Sequence, residues 1–74
     1  MKFYSTSLET VAVLEINDEE FALMMRIEEG NVAIVLPEDN RPRIFKTFEE
    51  ATRMADAIGI VSYHPGDTYA KATF

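Results

Sequence analysis

Asn17-Asp18-Glu19-Glu20-Phe21-Ala22-Leu23-Met24-Met25-Arg26-Ile27-Glu28-Glu29-Gly30 decides the fold, because two different elements fit it. Read by alternation, Phe21, Leu23, Met25 and Ile27 face one way and Ala22, Met24, Arg26 and Glu28 the other, as in a half-buried strand. Read by helical spacing, Asn17 and Glu20 make a capping-box pattern, and Gly30 stands where a helix over 18–29 would place its terminal glycine. Leucine, methionine, alanine, glutamate and arginine are also good helix formers. That helix would gather Phe21, Met24 and Met25 but leave Leu23 and Ile27 to one side. The alternation favours a strand, with the helix as its competitor.

The neighbouring segments support a meander. Leu8 to Ile16 is rich in β-branched residues and reads as a strand, and Asn17-Asp18 suits a two-residue type I′ loop. Glu29-Gly30-Asn31 reads as a second hairpin loop, leading into Val32-Ala33-Ile34-Val35-Leu36. That near-continuous apolar run predicts a central strand, covered on both sides or nearly so. Pro37 to Pro42 is turn chemistry, and Arg43-Ile44-Phe45-Lys46 is a short strand entering a helix. The helix spans 48–58. Thr47 is its N-cap, with Glu50 completing a capping box, and Gly59 closes it. Phe48, Ala51, Met54, Ala55 and Ile58 form its apolar stripe. Ile60 to Tyr63 is a last strand, stopped at His64-Pro65-Gly66-Asp67, and Thr68 to Phe74 is a short tail or an edge strand. The sum is an α+β domain over residues 1–74, an antiparallel β-meander of three to four strands packed against one α-helix, with strand order left open.

Seventy-four residues build only a small core, and a chain of this size is marginal without help. A homodimer, or a bound partner over the exposed sheet face, is the natural remedy, with Met24, Ala22, Val35 and Ala33 as its candidate lining. The longest apolar runs are far short of a membrane span, and Met1-Lys2-Phe3-Tyr4-Ser5 lacks the apolar core of a signal peptide. A cytoplasmic protein without a membrane partner is the expectation.

The chain carries 7 basic and 13 acidic residues, for a net charge of −6. Residues 1–40 hold −7 of it and residues 41–74 the balancing +1. Such a chain repels nucleic acid at long range and attracts basic partners, including proteins that themselves handle nucleic acid. The plainer reading of the charge is solubility alone.

Catalytic chemistry is mostly absent from the sequence. Without cysteine there is no disulfide, thiol nucleophile or thiolate metal site. His64, before Pro-Gly, reads as a turn residue, and no phosphate-loop, dinucleotide, nucleophile-elbow or metal-binding pattern occurs. The pairs Glu19-Glu20, Glu28-Glu29, Glu38-Asp39 and Glu49-Glu50 fall at turns or a helix start, where they solvate ends and caps instead of facing each other across a cleft. The chain therefore reads as no enzyme, with no cofactor and no metal.

Two surfaces remain. Glu28, Glu29, Glu38 and Asp39 stand at the two ends of the Val32 strand, roughly 20–30 Å apart, where acids can occupy the arginine and lysine sites a protein offers to phosphates. With Met24 on the sheet face they are the candidate partner-binding residues. The alternative is Arg41, Arg43 and Lys46, with Arg53 nearby, beside Tyr4, Tyr63 or Tyr69, as a cradle for a single strand or a phosphate. The plainer reading has those cations neutralising nearby acids, pairs worth only ~0–1 kcal/mol each.

Pro42-Arg43-Ile44-Phe45-Lys46-Thr47, followed by Ala51 and then Gly59-Ile60, resembles a pattern in small accessory proteins of plasmids and phages, where a hairpin feeds a single capped helix. The resemblance runs from Asn31 to Ile60, implies no activity and carries over no functional residue. In size, acidity and lack of cysteine the chain is similar to phage-encoded inhibitors of host defence, anti-CRISPR proteins among them. The expectation is a mobile-element protein that binds a host protein or protein complex handling nucleic acid and inhibits or regulates it. The alternative is a small dimeric nucleic-acid-binding accessory protein using Arg41 to Lys46.

Overall fold

The ambiguous stretch is a strand. The computed structural model describes residues 2–74, and in it the elements run β1 (Lys2–Ser5), β2 (Val11–Asn17), β3 (Glu20–Ile27), β4 (Gly30–Val35), α1 (Phe48–Ala57), β5 (Ile60–Ser62) and β6 (Ala70–Thr73). The strands form one mixed sheet in the order β1-β2-β3-β4-β6-β5, with the helix packed on one face. The α+β meander with a single helix is present, and it carries more strands than the three or four expected.

Register explains why alternation wins in β3. Met25, Leu23 and Phe21 lie opposite Val11, Val13 and Glu15, so the odd-numbered residues of both strands face the helix. A helix over 18–29 would have broken two ladders, one to β2 and one to β4. The connecting turns differ from expectation. Asn17 pairs with Glu20 across a loop of Asp18 and Glu19, and no residue other than glycine has a positive φ. This rules out the type I′ loop. Instead the Asn17 side-chain oxygen accepts the Glu19 N–H at 2.9 Å, and a bulge between Glu15 and Asn17 absorbs the extra residue. Gly30, at φ +142, supplies the backbone freedom at the β3–β4 turn.

Four further boundaries move. Leu8 to Thr10 is a turn, its Leu8 carbonyl accepting from Val11 N–H, so β2 begins only at Val11. Arg43 to Lys46 is no strand: Phe45 makes an isolated bridge to Phe21, two backbone hydrogen bonds of 2.8 Å. Helix α1 ends in an extended Ile58, and Gly59 lacks a positive φ; its N–H donates to the Thr73 carbonyl at 2.8 Å. The largest correction is the tail. Residues 70–73 lie between β4 and β5, parallel to the first and antiparallel to the second. Parallel pairing needs a crossover, which α1 and β5 provide.

The core lies between helix and sheet. Val11, Val13, Phe21, Leu23, Ile34 and Leu36 meet Phe45, Ala51, Ala55, Ile58, Ala70 and Ala72. Alanine at 51, 55 and 70, each with 0% exposure, lets the helix sit close to the strands. Thr47 caps α1 as expected, its hydroxyl oxygen accepting the Glu50 N–H at 3.1 Å, and Glu49 and Glu50 suit the positive end of the helix dipole.

Tyr4 closes the β1 side. Its ring meets Phe48 edge-to-face at 5.1 Å, and its hydroxyl donates to Glu15 Oε1 at 3.0 Å. That hydrogen bond, then lost hydration, then the Glu15 charge, raises the phenol pKa above the usual tyrosine value. A pKa raised by folding means that the contribution is full below the unfolded value and is lost as pH rises through the folded one. In alkaline titration followed by tyrosinate absorbance, Glu15→Ala brings Tyr4 ionisation to lower pH. An unchanged curve would show that the hydrogen bond does not persist in solution.

Candidate interaction surface

The side chains with chemical potential fall into three places: acidic turns, an arginine-edged groove and the sheet face away from the helix. The first follows from the hairpins. Tight turns place Asp18-Glu19 at one end of β3 and Glu28-Glu29 at the other, all four exposed. Glu38 is exposed in the loop after β4, so Glu28-Glu29 and Glu38 stand at opposite ends of that strand as expected. Asp39 is different. Its carboxylate meets the Arg43 guanidinium at 3.2 Å, both side chains being partly exposed. One member of the acidic set thus neutralises one member of the basic set. Apart from Asp39, only Asp67 contacts a basic group among the described residues, at 3.7 Å from His64 within the turn that stops β5.

The groove lies between residues 43–45 and the helix. It is a shallow, open hollow of about 450 Å³, lined by Arg43, Ile44, Phe45, Glu50, Arg53, Met54 and Ala57. The expected nearness of Arg53 to Arg43 is real, and Arg43 also lies 6.0 Å from the Phe45 ring centre. Lys46 lines a separate hollow with Asn17, Glu19, Glu20 and Thr47, and Arg41 lines neither. Of the aromatics expected beside the arginines, Tyr4 packs on Phe48 and Tyr63 packs against the core.

The third place follows from register. With odd residues of β2 and β3 facing the helix, Ala12, Leu14, Ala22 and Met24 face away from it, joined by Phe3, Ala33 and Val35 through the ladders. The four residues expected to line an exposed face do point to the same side of the sheet, but Ala22 and Val35 are buried and Met24 and Ala33 half-buried, so they do not form an exposed surface. Phe3, Ala12 and Leu14 were missed, although the run Val11-Ala12-Val13-Leu14 is apolar on both faces, as Val32 to Leu36 is. Ala12, Leu14, Ala22 and Val35 are buried yet stand outside the helix-side core, so this face holds a second apolar cluster. Phe3 is 43% exposed at its border.

Among the described residues there is no buried charged group and no cluster able to hold a metal ion, and no helix is long and apolar enough to cross a membrane. No family model matches this chain, and neither a curated protein nor a solved structure matches it.

Proposed function

We propose that the chain is a small non-enzymatic interaction protein of a mobile element, which binds a host protein handling nucleic acid and blocks or regulates it, in the manner of anti-CRISPR inhibitors. The observation that carries this reading is the state of the acids. Of 13 carboxylates, only Asp39 and Asp67 meet a basic group among the described residues. Glu28 and Glu29 stand exposed on a turn that ladder pairing holds in place, and Glu38 is exposed in a turn closed by the Asp39 N–H donating to the Leu36 carbonyl. Carboxylates left unneutralised at fixed positions project a negative field that steers basic surfaces, and phosphate-binding arginines and lysines are such surfaces.

The basic segment supports the nucleic-acid alternative less. Arg43 is tied to Asp39, and Lys46 shares its hollow with Glu19 and Glu20.

The test compares the tagged chain with its Glu28→Lys/Glu29→Lys variant in pull-downs from host lysate, with and without nuclease. A stoichiometric protein retained after nuclease, and lost by at least about tenfold in the variant, is the expected result. Both turn residues are exposed, so circular dichroism should be the same for the two chains. Equal capture by both chains would remove the acidic turn as the contact. Capture that nuclease abolishes would transfer the function to the arginine segment.

A further inference from the structure

We propose that the arginine-edged hollow between residues 43–45 and the helix binds a small apolar carboxylic acid, with Arg43 and Arg53 holding the carboxylate. Local structure builds both walls. Glu50, Arg53, Met54 and Ala57 recur at helical spacing and share one face of α1. The backbone bridge between Phe45 and Phe21 pins the opposite wall, where Arg43, Ile44 and Phe45 complete the lining. Apart from Arg43, Arg53 and Glu50 that lining is apolar. Phe45 is buried and Met54 half-buried, while Ile44, at 48% exposure, stands in water that a seated ligand would displace.

The charges select the ligand's head. Two guanidiniums against one carboxylate leave this lining at +1, in a chain whose total is −6. The hollow at Lys46 also holds Glu19 and Glu20, and the one at Lys71 holds Asp39, so neither has a cation in surplus. Arg53 is exposed and makes no ion pair among the described residues. Arg43 meets Asp39 through one nitrogen at 3.2 Å, and a guanidinium carries five N–H donors, so it can hold a second carboxylate. Glu50 adds a restriction, since it repels further negative charge and favours a monoanion over a phosphate dianion. Size selects the rest. About 450 Å³ falls within the ~300–1,000 Å³ of small-molecule sites. The seven lining residues are too few for a protein partner, whose contact takes about 20–30 residues a side. None of the acidic turn residues takes part, so this site and the interaction reading can fail separately.

The experiment follows the backbone amide shifts of the full isotope-labelled chain by NMR as octanoate, octanol, octylammonium or inorganic phosphate is added. Octanoate should give saturable shifts at residues 43–45 and 50–57, and should bind roughly tenfold more tightly than octanol. Arg53→Gln should weaken octanoate by roughly tenfold, whereas Glu50→Gln should strengthen it by about threefold. Both positions are exposed, so each variant should keep the wild-type circular dichroism spectrum. Ala57→Trp, also at an exposed position, should fill the hollow and abolish the shifts. No saturable shift at these residues, or an octanoate affinity unchanged by Arg53→Gln, would overturn the proposal. Equal binding of octylammonium would overturn it as well, leaving an apolar patch open to a side chain of any partner. Phosphate binding more tightly than octanoate would overturn it in favour of a phosphate ligand.

Discussion

Ending the chain at Asp67 abolishes cooperative folding, although the seven residues removed look like a dispensable tail. Their structural place explains the expected loss. β6 supplies the partner of β4 on one side and of β5 on the other, so its removal leaves β5 with no strand and β4 with a bare edge. Ala70 and Ala72, at 0% and 3% exposure, are part of the core under the helix, and without them Ile34 and Val61 lose neighbours and face water. The Gly59 N–H also loses the Thr73 carbonyl that receives it where α1 hands over to β5. A chain of this length has about 4–11 kcal/mol of stability in total, less than the combined loss of two ladders and part of the core. The check is urea denaturation of residues 1–67 followed by far-ultraviolet circular dichroism. A cooperative transition near that of the full chain would mean that β6 contributes little.

What made β6 hard to read is the same thing that makes it essential. Tyr69-Ala70-Lys71-Ala72-Thr73 alternates cleanly, but its inward residues are alanines, which are depleted in strands and carry little hydrophobic signal. Small residues are needed there because the helix lies close, and that requirement comes from the packing of distant segments. β3 was legible for the opposite reason: Phe21, Leu23, Met25 and Ile27 are large enough for their alternation to outweigh the helical preferences of their neighbours. α1 was legible because its cap is local, Thr47 to Glu50.

The surfaces divide along the same line. The acidic turns could be placed from sequence because hairpin ends are local features. Separating Asp39 from Glu38 could not, since the ion pair to Arg43 depends on the path of an irregular loop. The face with Met24 was half legible. Its residues on β3 and β4 followed from alternation, whereas Phe3 joined only through the β1–β2 register, which no local pattern announces.

Phe21→Ala is the second change expected to take the chain to the limit of folding, and it separates side-chain packing from backbone pairing. Phe21 is 7% exposed at the point where sheet, helix and the 43–45 segment converge. Its ring meets Phe48 edge-to-face at 6.3 Å, and Phe48 in turn meets Tyr4 at 5.1 Å, so one aromatic chain joins β3 to the start of α1 and to β1. The two 2.8 Å hydrogen bonds between Phe21 and Phe45 use backbone atoms only, and alanine keeps them. What is lost is the ring, at about 3–5 kcal/mol for a buried phenylalanine, cavity included. Because small domains lose about 1 kcal/mol of stability per molar urea, the midpoint should fall by roughly 3 M or more, or the folded baseline should vanish. Phe3→Ala is the control, since Phe3 is partly exposed and lies on the other face of the sheet. It should cost well under half as much. Equal losses from the two substitutions would show that the stabilising core is not concentrated between helix and sheet.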